Sequence, residues 1–177
     1  MAASLAQHLV FRAGFHDREG SCLQTYVLER SQWVPATVAE TFAFLSDPAN
    51  LPSLTPPWLQ FRLVSPRPPA MREGASFEYE LRLSGISVRW RTRMADWRPG
   101  VAFTEEQLHG PHARWLHCHT FRAERGGTRL GGRLEYALSF DPLSRPVNAW
   151  YVRPLVERVF DFRGEVISNR FRRSPPW

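Results

Sequence analysis

From Leu59 to Phe140 apolar and polar residues alternate with a period of two, and this restricts the fold more than any other feature. Leu59, Phe61 and Leu63 share one face against Gln60 and Arg62. Phe77, Tyr79, Leu81 and Leu83 do the same against Glu78, Glu80 and Arg82. Ser84-Gly85 then reverses the chain into Ile86, Val88, Trp90, Thr92 and Met94, whose opposite face carries Arg89, Arg91 and Arg93. A further strand begins at Val101-Ala102-Phe103 and ends near His109, before Gly110-Pro111. Trp115, His117, His119 and Phe121 follow on one face. Gly126-Gly127 reverses the chain again into Leu130, Leu134, Tyr136, Leu138 and Phe140. Side chains on a strand point alternately to its two sides, so closely spaced hairpins of this kind predict an antiparallel meander with one apolar face.

The flanks of the meander have a different period. Thr25 to Glu29 reads as a first strand. Pro35 ends it, and Thr37 with Glu40 forms a capping box for a helix carrying Val38, Phe42 and Leu45. Asp47-Pro48 stops that helix, and Asn50-Leu51-Pro52 starts a second short helix or turn. At the other end, Leu143 to Phe171 reads as one long helix with Val152, Val156, Val159, Val166 and Ile167 at spacings of three and four. Pro142 and Pro146 belong near its start, and Pro154 predicts a kink or a restart. The order predicts an α+β domain over residues 23–173, preceded by an N-terminal extension over 1–22. A curved antiparallel sheet of about six to seven strands would wrap the long C-terminal helix. One helix and a short helical pair cannot fill the concave side of so wide a sheet, so a cavity is expected.

Composition narrows the partners. All 23 basic residues are Arg, and the net charge is +6. The absence of Lys accords with a GC-rich, bacterial-type codon bias. Arg89, Arg91 and Arg93 alternate with apolar residues as the wet face of a strand does. With no RNP-like or helix-turn-helix pattern beside them, no nucleic-acid partner is expected. Cys22 and Cys118 fit neither a disulfide framework nor a zinc spacing, so a reducing cytoplasm is the expected location. No segment approaches the roughly 20 apolar residues of a membrane span, so no stable membrane insertion is expected. The Pro-rich stretch Pro66 to Pro69 reads as a turn rather than part of a repeat.

Strand parity places Glu105, Gln107, His117 and His119 on the same side as Phe103, Trp115 and Phe121. Three readings of these polar residues stand. They satisfy one another at the centre of the sheet, they form the polar end of a ligand pocket, or they carry chemistry. For chemistry, His117, His119 and Glu105 are the candidate catalytic residues, able to move protons on a polyketide-like substrate. The same three make a two-His, one-carboxylate set with no fourth ligand evident, so no metal or cofactor is expected. No Ser/His/Asp order, phosphate loop or dinucleotide fingerprint is present. Of the large aromatics Trp58, Trp90, Trp97, Trp115, Trp150 and Tyr151, most are expected in the core. Trp90 and Trp115 are the best placed to line a pocket. Tyr79, Phe103, Gln107, Phe121 and Tyr136 would complete its wall. Val152, Val156, Val159 and Phe160 would form a lid, with Pro154 as hinge.

Several segments together resemble the SRPBCC superfamily, the START-like helix-grip proteins, and among them bacterial ligand-binding members. These are Ser46-Asp47-Pro48-Ala49-Asn50-Leu51-Pro52, Thr55-Pro56-Pro57-Trp58-Leu59, Gly85-Ile86 with Arg89-Trp90-Arg91-Thr92, and Glu105-Glu106-Gln107 with Gly110-Pro111. The run Trp115, His117, His119, Phe121 resembles a W-x-H-x-H-x-F strand, Gly127-Thr128 with Tyr136-Ala137-Leu138 a last strand, and Phe160 with Arg163 a helix. The resemblance covers about residues 23–170. It implies binding or transport of a hydrophobic small molecule (a lipid, a fatty acid, or a polyketide-like aromatic), by a monomer or homodimer. The alternative it implies is a polyketide cyclase, aromatase or dehydratase acting through the inward His/Glu cluster. The chain departs from the pattern at Gly132-Arg133, where the group carries an acidic pair. Position 132 points inward by parity, so the carboxylate the resemblance implies there is missing from this chain.

Overall fold

The first strand pairs with the last. In the computed structural model, which describes residues 23–65, 71–139 and 143–172, β1 (Thr25–Val34) lies antiparallel to β7 (Gly127–Ala137) along its whole length. The other strands are β2 (Arg62–Leu63), β3 (Ser76–Leu83), β4 (Ile86–Arg98), β5 (Ala102–His109) and β6 (Arg114–Glu124). The seven form one antiparallel sheet in the order β1-β7-β6-β5-β4-β3-β2. Between β1 and β2 lie helix α1 (Val38–Ser46) and two 3₁₀ turns, Pro48–Asn50 and Pro57–Leu59. After β7 come α2 (Ser144–Val147), one π-helical turn (Asn148–Val152) and the long helix α3 (Arg153–Arg170). This is the helix-grip arrangement, a curved sheet clasping a C-terminal helix. The extension 1–22, the Pro66–Pro69 turn and Pro142 lie outside the described residues. Among the described residues, no helix is long and apolar enough to cross a membrane.

Local chemistry explains the joints. Thr37 and Glu40 form the capping box, with the Thr37 amide donating to Glu40 Oε2 at 2.9 Å and the Glu40 amide to Thr37 Oγ1 at 3.2 Å. The β3–β4 and β6–β7 hairpins each turn on two residues of positive φ, Ser84 with Gly85 and Arg125 with Gly126. That turn matches the twist of paired strands. The second reversal is therefore centred on Arg125-Gly126, one residue before the pair the sequence suggested. Gly127 is already in β7, where a Cβ would stand 2.3 Å from the Val34 carbonyl oxygen.

Two elements differ from expectation. The strand predicted over Leu59 to Leu63 shrinks to Arg62–Leu63, because Pro56-Pro57 starts a 3₁₀ turn that ends at Gln60 in the left-handed region, φ 44°. The long helix is continuous but changes its winding at the π-turn immediately before Pro154. Proline has no N–H to give and its ring crowds the carbonyl four residues earlier, so a wider turn there relieves the clash. Pro154 thus reshapes the helix without breaking it.

The sheet's concave face is covered unequally. At one end α1 inserts Phe42 among Trp97, Phe103 and Phe121, with ring centroids 5.1, 5.8 and 5.1 Å away. Val34, Leu54, Phe77, Met94, Leu130 and Ile167 complete a solid core there. At the other end α3 crosses the sheet with less side-chain bulk beneath it. On the outer face Arg91 and Arg93 form ion pairs with Glu78 and Glu106, as the wet side of a sheet does. Of the six large aromatics, most of which were expected in the core, three are exposed: Trp58, Tyr151 and Trp150, the last at 87%. They sit on the 3₁₀ turn and the π-turn, whose outer sides face solvent.

Candidate ligand-binding site

Under α3 lies a partly open cavity of about 300 Å³. Its walls are Leu81, Trp90 and Trp115 from the sheet, and Val152, Val156 and Phe160 from the π-turn and α3. Tyr79 stacks on Trp90 at 5.8 Å with 17° between the rings, and Trp115 meets Trp90 edge-on at 5.1 Å. A second, more open hollow of about 490 Å³ lies between β1, β7 and α3, bordered by Arg30, Gln32, Gly132 and Asp161. His117, Phe160 and Arg163 border both, so these three side chains form the partition.

The polar residues gather at that partition. Glu105 on β5 is the register partner of His117 on β6, while His119 faces Phe103 on one side and Gly132 on the other. Parity held for these positions because the β5 irregularity falls after Gln107. There Arg91 pairs with His109 and Thr92 with Gln107, leaving Leu108 as the extra residue. Glu105 Oε2 is 3.9 Å from His117 Nδ1 and 3.7 Å from His119 Nε2, beyond ordinary hydrogen-bond length. The imidazoles lie 3.9 Å apart by centroid, and His119 also stacks on Phe103 at 4.4 Å. Both histidines are buried, at 3% and 6% exposure. Arg163 approaches from α3, its Nε donating to the Leu54 carbonyl at 3.4 Å. Thr92 Oγ1 donates to the Tyr79 hydroxyl at 3.5 Å.

Burial sets the charge states. His117 is held well below its usual range, first by desolvation and then by the positive character of His119 and Arg163. His119 is lowered mainly by desolvation, which the Glu105 carboxylate partly offsets. Burial also lowers Arg163, against the pull of Glu105, and raises the Tyr79 phenol. At neutral pH the site therefore holds two neutral imidazoles and a neutral phenol. Among the described residues, His117 Nε2, Trp90 Nε1 and His112 Nδ1, all on cavity-lining residues, are buried and find no hydrogen-bond partner.

Of the residues singled out from the sequence, Tyr79, Trp90, Glu105, Trp115, His117, Val152, Val156 and Phe160 line the cavity. His119 borders the open hollow. Phe103 and Phe121 lie instead in the core under α1, because parity gives the face of a residue and not what covers it. Tyr136 is likewise core, its hydroxyl donating to Asn148 Oδ1 at 2.7 Å. Gln107 faces inward, but its amide donates to the His112 carbonyl at 2.6 Å and braces the β5–β6 loop. Position 132 does point inward: a Cβ on Gly132 would stand 3.4 Å from His117 Nε2. Arg163 and His112 were missed as site residues. Arg163 had a signal, a lone cation on the stripe Val156, Phe160, Arg163, Ile167; His112 sits in a loop with none.

A clasped helix, a curved sheet and an apolar chamber between them define a START-like domain of the SRPBCC class. Within that class the chain belongs to the family described as polyketide cyclase / dehydrase and lipid transport, whose profile matches residues 26–165. Solved structures agree on the fold. A protein from Chromobacterium violaceum superposes with a TM-score of 0.65 at 13% identity, covering 84% of this chain and 98% of its own. A START superfamily protein from Mycobacterium smegmatis gives 0.62 at 13% identity, covering 82% and 96%. The di-domain ARO/CYC protein StfQ from the steffimycin biosynthetic pathway gives 0.65 at 16% identity, covering 83% of this chain and 50% of StfQ. No curated protein sequence matches the chain.

Proposed function

We infer that the protein binds a compact hydrophobic molecule with an oxygen-bearing end, held in the cavity under α3. The apolar chamber itself carries this reading, with aromatic and aliphatic walls, Tyr79, Glu105, His117 and Arg163 grouped as polar residues, and His112 contributing a further polar atom. Its size lies at the lower end of the roughly 300–1,000 Å³ typical of small-molecule sites, which favours a ring system or a single short chain over a two-chain lipid. Tyr79, Glu105, His117 and Arg163 offer donors and an acceptor to a carbonyl, hydroxyl or carboxylate. Unpartnered buried polar atoms cost about 1–3 kcal/mol each, so a ligand that satisfies them recovers that energy on binding.

A carrier or sensor role fits better than turnover, because a strongly desolvated neutral imidazole is a weak base. The Glu105–His117–His119 cluster favours one second reading, the cyclase or dehydratase chemistry that the family description includes. Titration with anilinonaphthalene sulfonate tests the first reading. One probe per chain is expected, and Val156→Trp, which fills the cavity, should abolish its binding. Unchanged affinity in that variant would overturn the assignment. Retained binding with lost turnover of a poly-β-keto substrate in His117→Asn would instead support the second.

A further inference from the structure

We propose that Glu105, His117 and His119 bind a single divalent transition-metal ion. Adjacent strands present the three side chains to a common point: His117 and His119 alternate on β6, and Glu105 lies directly across the ladder from His117. One donor atom from each lies within 4.8 Å of the other two. Glu105 Oε2 stands 3.7 and 3.9 Å from the two imidazole nitrogens and the three donors span up to 4.8 Å, wider than a bound metal requires. Bonds of about 2.0–2.1 Å at tetrahedral angles place donor atoms about 3.3 Å apart, so closure on an ion needs the side chains to draw together.

The surroundings suit this role. Buried polar groups normally sit at hydrogen-bond distance, yet Glu105 Oε2 stands 3.7 and 3.9 Å from the two imidazoles. The ion-pair contacts of Glu105 within 4 Å are the two histidines, and Arg163 is turned to the Leu54 carbonyl. Gly132 leaves space beside His117 Nε2, the nitrogen that does not face Glu105. Two imidazoles and one carboxylate supply three ligands of N and O type, the set used by zinc and non-haem iron, and leave a position for water or a ligand oxygen. With Arg163 at the same end, the loaded site would carry net positive charge and favour an anionic oxygen there. This goes beyond the hydrophobic-ligand reading and does not depend on it.

The test uses the full chain after EDTA treatment, titrated with Co²⁺ and then Zn²⁺. One Co²⁺ per chain is expected, with visible d–d absorption bands that Zn²⁺ abolishes. Glu105→Gln and His119→Asn should each weaken binding at least about 100-fold, since even outer-shell changes around a metal cost about 10–100-fold. Circular dichroism in EDTA checks that both variants fold. If either fails, histidine-ring NMR of the unsubstituted protein decides, because Zn²⁺ should shift His117 and His119 and leave His109 and His112 unmoved. The proposal is overturned if no stoichiometric binding occurs at millimolar metal, if both variants bind as the native protein does, or if only other histidines shift. Val156→Trp blocks the cavity and leaves these three residues intact, so loss of probe binding and loss of metal binding are separate results.

Discussion

His112 should make the fold acid-sensitive well above the carboxylate range. It sits against Trp115 at 4.7 Å, Trp90 at 5.4 Å and Tyr136 at 6.0 Å, with Nδ1 buried and unpaired. Desolvation pushes its pKa down from 6.5 to about 4. The unfolded chain therefore takes up a proton at higher pH than the folded one does, and stability falls as pH drops through that window. At about pH 5 an unfolded histidine is almost fully protonated and the folded one almost wholly neutral. The difference removes about 2 kcal/mol relative to about pH 8, by linkage over that interval. His117 and His119 are shifted in the same direction and steepen the loss. Urea denaturation in EDTA across this range measures it. His112→Phe keeps a ring against the tryptophans and cannot titrate, so its stability should fall by about 2 kcal/mol less than the native protein's between the two pH values. Parallel curves for the two proteins would refute the reasoning.

Other perturbations test the architecture. Gly127→Ala puts a Cβ 2.3 Å from the backbone oxygen of Val34, and should cost about 3 kcal/mol or more in a urea melt. Gly85→Ala, at φ +84° with open space around it, should cost only about 1–2 kcal/mol. Phe160→Ala removes the partition between cavity and open hollow; a loss of about 3–5 kcal/mol is expected, together with tighter binding of a bulkier naphthalene probe. Thr37→Ala deletes the cap of α1 and should lower stability by about 1 kcal/mol by the same assay, with probe affinity unchanged.

The alternation from Phe77 to Leu138, the capping box at Thr37 and the apolar stripe of the last helix were enough to specify a sheet clasping a helix. Each is a local pattern in which neighbouring residues suffice to state the preference. Parity likewise placed Glu105, His117, His119 and Gly132 on the inner face, since the extra residue at Leu108 falls beyond them in the strand. Sequence could not say which inward residues meet open space. Phe103 and Trp90 share the same face of the same sheet, yet one is sealed beneath Phe42 and the other walls a chamber. That division depends on where α1 and α3 come to rest, and on the π-turn that Pro154 imposes. Arg163 joined the polar end for the same reason, because a helix residue gains its neighbours only when the helix docks. Periodicity is written into the chain one residue at a time; coverage is a property of distant segments packed together, and only the folded structure decides it.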